Sequence, residues 1–435
     1  MNGKRVLVTG GAGFLGYHLA QNLPRRGVAF MAFNDIAPFF KEEYPEEYLL
    51  AKVDVRDADA MYRLIHDNKI EIIIHCAAAL PLWPKEEIMS TNIAGVRNTL
   101  TQAQRCGVER VIFISSTAVY GVPEKHPLVE NDPVDGVGAY GTSKIAGEGV
   151  CAEFRKQGMC VPVIRPKTFI GTARLGVFQI LYDWVDSGKR IPIIGKGNNL
   201  YQLLEVTDLI DAIWLAGSAP ADVANDIFNV GAQRYDKVKL DVGALCDFAG
   251  NGSRVLPTPA PLVKGALAVF EFMNISPLYK WVYGTADKDS YVSTEKIEQK
   301  LGWKSNYSNQ DALITSHKWY LEHKDELEHQ QELAERITSL GGKPPADISK
   351  LVASSNDGYP TPPLDETCLA VVESFPVTLN KAAIRTRVVE TQFLDESSQT
   401  SIEDARVIVA GGRGCQKAAN LEALRQLASR LGGVM

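Results

Sequence analysis

The strand-like run Arg5-Val6-Leu7-Val8-Thr9 passes directly into Gly10-Gly11-Ala12-Gly13-Phe14-Leu15-Gly16, and this junction restricts the possible folds more than any other part of the chain. Glycines at these spacings let a strand turn tightly into a helix. They also let a pyrophosphate approach the helix N-terminus, where free N–H groups and the helix dipole favour negative charge, and they let the helix pack on the strand. A purely structural tight turn would use the same glycines, so the surrounding pattern has to decide.

That pattern is alternation. Residues 5–9, 28–34, 49–53, 70–76 and 108–115 have strand character, and the intervening segments have helical lengths and periodicities. Strand–helix alternation at this spacing means right-handed crossovers and a parallel sheet with helices on both faces. Ile70-Glu71-Ile72-Ile73-Ile74 has the near-continuous β-branched character of a strand buried on both sides. The expected fold is α/β: a doubly wound parallel sheet of the Rossmann type, followed by a smaller substrate lobe, a linker and an incomplete α/β module. The expected boundaries are 1–330 for the enzyme part, with a nucleotide-binding core over about 1–165 and a lobe drawn from 166–310. The linker covers 341–366 and the final module 367–435.

Composition excludes several classes. At 435 residues, 45% hydrophobic and 23% charged, the chain is globular, and a net charge of -6 gives no field to recruit nucleic-acid phosphates or an anionic membrane. Met1-Asn2-Gly3-Lys4-Arg5 runs into too short an apolar stretch for a signal peptide, and no apolar run is long enough to span a bilayer. Seven cysteines without a C-x-x-C pair read as reduced thiols. The expectation is a cytoplasmic protein. His317, His323 and His329 lie on a charged helical segment and read as solvated surface, and no metal site is expected.

Asn34 and Asp35 end the second strand about twenty residues beyond the glycines, where a carboxylate can bond a ribose diol and repel a 2′-phosphate; NAD is favoured over NADP. Either residue could occupy that place, and either could be a turn residue. Ala139-Tyr140-Gly141-Thr142-Ser143-Lys144 puts Tyr140 and Lys144 at i and i+4 on one helix face. An ammonium beside the phenol stabilises the phenolate, so the pair can act as a general base near neutrality.

The motifs also occur in a set order. The glycine cluster is followed by Asp54-Val55-Arg56-Asp57, His75-Cys76-Ala77-Ala78, Asn92, Ser115-Ser116-Thr117 and Tyr140-x-x-x-Lys144, and then by Ile164-Arg165-Pro166, Val206-Thr207-Asp208, Phe228-Asn229-Val230-Gly231 and Leu301-Gly302-Trp303. Over about residues 4–325 this set resembles the extended short-chain dehydrogenases, the NAD-dependent epimerase/dehydratase family. The resemblance implies Tyr140 as catalytic acid/base, Lys144 as holder of the nicotinamide ribose and Ser116 as a partner of the substrate oxygen. It implies cofactor contacts from Gly10, Gly13, Phe14, Leu15, Gly16, Asn34 or Asp35, Asp54, Val55, Ala77, Ala78 and Ala79, with Asn92 bracing the loop. It also implies hydride transfer at a secondary alcohol carbon and a homodimer.

Departures from the family bear on substrate. Sugar-nucleotide 4,6-dehydratases carry Thr-Asp-Glu where this chain has Ser116-Thr117-Ala118, which leaves no evident group to expel water. Thr168 stands where epimerases place Asn. Tyr201 and Tyr283 stand where they place phosphate-clamping arginines, with Arg174, Lys196, Lys280 and Lys288 as candidate substitutes. Leu80-Pro81-Leu82-Trp83-Pro84 and the apolar stretch over 255–283 would cover the nicotinamide and substrate, somewhat as in the 3β-hydroxysteroid dehydrogenase branch. Leu80, Thr117, Thr168 and Tyr201 are the expected substrate contacts. The first expectation is an NAD-dependent epimerase or oxidoreductase acting on a sugar nucleotide or related sugar. A dehydrogenase of hydrophobic alcohols is the alternative, and a non-catalytic NAD-binding scaffold the third. Residues 367–435, with Ala410-Gly411-Gly412-Arg413-Gly414, resemble the start of an electron-transfer flavoprotein α-subunit FAD domain. The segments that complete its flavin pocket are missing, which suggests a truncated fusion or a docking module for a protein partner.

Overall fold

The computed structural model describes residues 1–81, 83–261, 263–265 and 286–327. Seven strands form one parallel sheet: β1 (Arg5–Thr9), β2 (Phe30–Asp35), β3 (Leu49–Lys52), β4 (Ile72–His75), β5 (Arg110–Ile114), β6 (Val163–Pro166) and, after two short pairs described below, β10 (Ile227–Val230). Their order is β10-β6-β5-β4-β1-β2-β3, with Val6 opposite both Met31 and Ile72. The doubly wound expectation holds, and the order reverses between β1 and β4.

Period-2 alternation explains the layers. Val6 and Val8, Ile72 and Ile74, and Ile112 and Ile114 face one side, where they pack with Leu15 and Leu19 of α1 (Phe14–Asn22). Leu7, Ile73, Val111 and Phe113 face the other side. There they meet Leu64 and Ile65 of α2 (Ala58–Asp67), Leu100 of α4 (Val96–Arg105) and Phe154 of α5 (Gly138–Lys156); α3 (Lys85–Met89) leads into α4. Leu7, Ile73, Ile74 and Ile112 are all fully buried, as a strand covered on both faces requires.

The second half supplies the lobe. Beyond Pro166, β7 (Thr168–Ile170) pairs in parallel with β9 (Leu203–Glu205), and β8 (Arg190–Ile194) with β11 (Arg254–Thr258). Around these pairs lie α6 (Phe178–Asp186), α7 (Val206–Ser218), α8 (Ala221–Ala224), α9 (Val238–Ala249), α10 (Glu295–Leu301) and α11 (Asn309–Glu322). Helix α7 packs beside α1 on the same face of the sheet, over β5 and β6, with Leu209, Ile210 and Ile213 in that core. A separate core of Ile170, Tyr182, Leu203, Leu245, Leu313 and Tyr320 holds the lobe.

The stretch expected to give apolar cover opens on the strand Arg254–Thr258. One expectation changes. His317 is 1% exposed, with Tyr182 at 5.5 Å and Tyr320 at 5.9 Å between ring centroids, and burial lowers its pKa. It shares a helix face with Leu313 and Tyr320 at i-4 and i+3, so the apolar stripe of α11 buries it despite the charged surroundings. His329, Leu82, Tyr283, Lys280, residues 266–283, the linker and residues 367–435 lie outside the described residues.

Candidate functional site

In a doubly wound sheet ligands bind beyond the C-terminal ends of the strands, at the point where strand order reverses. Here the glycine turn after β1 and the Ala77–Ala79 loop after β4 meet at that point. Gly10 has φ +69°, and a Cβ there would lie 2.8 Å from Ala77 N, so only glycine lets the two loops close on each other. Ala77 N also donates to Thr9 Oγ1 at 3.2 Å. A Cβ on Gly16 would stand 2.5 Å from Gly10 O, which makes this the residue that brings α1 down on the strand.

The N-cap of α1 is Gly13, in extended conformation, with no side-chain cap and no acid in the first turn. First-turn N–H groups with no side-chain acceptor suit a phosphate. Arg174 lies beside them, its guanidinium donating to Ala12 O at 2.6 Å and Gly13 O at 2.7 Å and pairing with Glu43. It belongs to the glycine loop and is not an evident substitute for a substrate clamp. Phe14 stacks on Phe169 at 5.8 Å, and Leu15 is a core residue.

Asn34 and Asp35 separate cleanly. Asn34 is fully buried, its Nδ2 donating to Val53 O at 3.0 Å, whereas the Asp35 carboxylate accepts from Ala12 N at 3.0 Å and Ala37 N at 2.9 Å. The residue facing the glycine loop is therefore Asp35, and Asn34 holds β2 to β3. Asp54 receives Arg56, whose hydrogen bonds hold its carboxyl below the usual range. Val55 is buried, and its Cγ2 occupies the space a Cβ on Gly95 would need. Asn92 is buried. Its Oδ1 accepts from Ala79 N at 2.7 Å, while its Nδ2 donates to Ala79 O at 3.1 Å and Ser143 Oγ at 3.0 Å. The side chain thus meets both backbone polar groups of Ala79.

Tyr140 and Lys144 both lie on α5. Lys144 is 3% exposed; its Nζ donates to Ile114 O at 2.9 Å and lies 5.7 Å from the centroid of the Tyr140 ring. Burial pulls its pKa down to about 8, with Cys76 and Glu148 acting the other way. The Lys144–Ile114 bond docks α5 against the end of β5, two residues before Ser116. Ser116 caps a short turn over Thr117–Tyr120, accepting from Ala118 N at 3.1 Å. Beneath this edge Ser115 donates to Glu148, Arg165 donates to Glu148 and to Tyr120 Oη, and Tyr120 donates to Asn229 Oδ1 at 2.8 Å. Arg165 and Asn229, two motif residues, thus support the crevice floor. Asp208 does comparable work in the lobe, accepting from Asn306 N and Tyr307 N, while its backbone O accepts from Trp303 Nε1.

A cleft nearby is lined by Thr117, Tyr120, His126, Lys167, Lys288 and Ser290 among others. Thr117 Oγ1 donates to Pro166 O at 3.3 Å, and the Thr168 and Tyr201 hydroxyls bond each other at 3.2 Å. Leu80 and Trp83 are exposed on the loop after β4. Lys167 was not among the expected contacts. It is 5% exposed, its Nζ donates to Ser290 Oγ at 2.6 Å, and burial lowers its pKa to about 7. The sequence signal was a lysine wedged between buried strands in Arg165-Pro166-Lys167-Thr168.

Comparison with known proteins agrees with this geometry. Residues 6–231 match the family model described as the NAD dependent epimerase/dehydratase family. An uncharacterised protein, y4nG, of Sinorhizobium fredii is 30% identical over 322 residues, which is 73% of this chain and 78% of that one. The UDP-glucose 4-epimerase of Lactobacillus helveticus is 25% identical, covering 73% and 98% of the two chains. The Bordetella bronchiseptica enzyme WbmG, solved in complex with NAD, superposes with a TM-score of 0.60 at 22% identity, covering 74% of this chain and 94% of its own. None of these similarities supports the flavoprotein resemblance of residues 367–435. Matched by the family model over more than half its length, the chain belongs to the NAD dependent epimerase/dehydratase family.

Proposed function

We propose that the protein is an NAD-dependent epimerase acting on the sugar of a nucleotide sugar. The observation that carries the reading is the buried Lys144 ammonium, anchored to the end of β5 and set beside the Tyr140 ring at the strand-order switch. The first turn of α1 with Gly10, Gly13 and Gly16 would hold the NAD pyrophosphate, Asp35 the adenosine ribose, Asp54 and Val55 the adenine, and Ala77–Ala79 the path between. The Asp35 carboxylate would repel a 2′-phosphate, which favours NAD over NADP. Bound NAD supplies a centre that accepts and returns a hydride at the carbon bearing the substrate hydroxyl. Tyr140 removes the hydroxyl proton as the carbonyl forms and gives it back when the alcohol reforms. Lys144 stabilises the Tyr140 phenolate and bonds the nicotinamide ribose, and Ser116 bonds the substrate oxygen. Support for a sugar nucleotide comes from the Lactobacillus helveticus relative and from Ser116-Thr117-Ala118, which lacks the acids dehydration needs.

A second reading, oxidation of a hydrophobic alcohol, rests on the exposed Leu80 and Trp83 at the crevice mouth. Product analysis with UDP-sugars and sterols separates the two. The epimerase reading expects interconversion of 4-epimers without net release of reduced nicotinamide. Stoichiometric NADH release with sterols alone would replace it with the dehydrogenase reading, and turnover of neither would refute both.

A further inference from the structure

Three buried cations lie around the crevice, and two of them are accounted for. Arg165 pairs with Glu148, and Lys144 donates to Ile114 O beside Tyr140. Lys167 is as well buried as Arg165, yet among the described residues no carboxylate pairs with it. Its Nζ has one hydrogen bond, to Ser290 Oγ at 2.6 Å, and lies 5.1 Å from the Tyr201 ring centroid. Burial without a charge partner is what lowers its pKa. The cleft that Lys167 lines includes a second polar group with an unmet bond: His126 Nε2 is buried with no hydrogen-bond partner among the described residues. Among the described residues the cleft's one carboxylate, Asp289, is exposed and accepts from Leu200 N at 2.8 Å, and the other Lys or Arg there, Lys288, is also exposed. A buried ammonium with spare donors, lining a small cleft together with Thr117, is an arrangement a ligand can complete.

We propose that Lys167 is a specificity-determining residue of the substrate cleft, its ammonium, steadied by Ser290, receiving an oxyanion of the substrate. The inference deepens the sugar-nucleotide reading and rests on it for the kind of substrate. Two sources carry that chemistry, a diphosphate and a carboxylate on the sugar. Tyr201 bears on the first: it occupies a position where related epimerases place an arginine, and Lys167 brings a positive charge to its ring.

The test is calorimetric titration of the full-length, NAD-loaded protein with UDP, UDP-glucose and UDP-glucuronate, and with pyrophosphate and glucuronate as nucleotide-free probes. The parent is compared with Lys167→Met and Ser290→Ala, and thermal midpoints check folding. If Lys167 meets the diphosphate, Lys167→Met weakens UDP, both UDP-sugars and pyrophosphate about tenfold or more. If it meets a sugar carboxylate, only UDP-glucuronate and glucuronate weaken. Ser290→Ala should give a smaller loss for the same ligands, since it leaves the charge in place. A merely structural lysine would not discriminate by ligand charge. Unchanged affinities for every anion in a folded Lys167→Met overturn the proposal, as does an equal loss for all five ligands, pyrophosphate and glucuronate alike. If the parent binds no UDP-sugar, the sugar-nucleotide reading fails. Lys167-dependent binding of pyrophosphate or glucuronate would still support the anion site, and its absence would refute it.

Discussion

At the scale of single residues, the site depends on side chains that are buried but incompletely neutralised. Lys144 keeps its position through one backbone carbonyl, and burial brings its pKa to about 8. The adjacent phenol therefore has an ammonium neighbour through neutrality, and loses it as pH rises through that value. Asn92 holds the loop after β4 through Ala79. Replacing it with alanine leaves Ala79 N and O without their partners in a buried setting, at a cost of about 1–3 kcal/mol. Asn92→Ala should therefore lower unfolding free energy in urea by that amount and weaken NAD binding. A variant as stable as the parent would show that Ala79 finds other partners. The placement of Tyr140 and Lys144 together on α5 was legible in the sequence because i, i+4 spacing fixes a shared helix face whatever the tertiary fold. The setting of Lys167 was not, because its hydrogen-bond partner, Ser290, lies 123 positions away.

At the scale of elements, the glycine turn couples β1, β4 and α1. Gly10 combines a left-handed backbone with a neighbour 2.8 Å from where a Cβ would stand. Gly10→Ala should cost at least about 1–2 kcal/mol from the backbone alone and reduce NAD affinity severalfold, measured by titrating nucleotide into the folded variant. Unchanged affinity would place the pyrophosphate elsewhere. The first five strands were legible because each carries a short apolar run between polar or turn residues, and Ile72-Ile73-Ile74 identified a central one. The strands of the lobe were not. β7 has three residues and follows Pro166 after a single residue, and its partner β9 lies more than thirty positions on, so no local period announces the pair. Helix α11 misled in the opposite direction: its charged residues suggested a solvated element, while Leu313, His317 and Tyr320 form a stripe that the lobe core needs.

At the scale of the whole molecule, two neutral imidazoles tie stability to pH. Burial lowers His18 to about 4 and His75 to about 3. The unfolded chain binds these protons below about 6.5 and the native protein does not, so their contribution is complete above about 6.5 and is lost progressively as pH falls toward the folded values. At pH 5 each loss is about 2 kcal/mol. Urea unfolding of the parent and of His18→Gln between pH 7 and 5 isolates one of them: the parent should lose about 2 kcal/mol more than the variant. Parallel pH curves would show that His18 titrates normally in the native state. Among the described residues no helix is long and apolar enough to cross a membrane. The account depends most on the Tyr140 phenol as the group that moves the proton. The direct test is to mix NAD-loaded protein with its sugar nucleotide and follow the reduced-nicotinamide absorbance band, in the parent and in Tyr140→Phe. The parent should form the band within the enzyme, and the variant should form it about 10²–10⁴-fold more slowly while binding NAD as tightly. Equal rates in the two proteins would contradict the assignment.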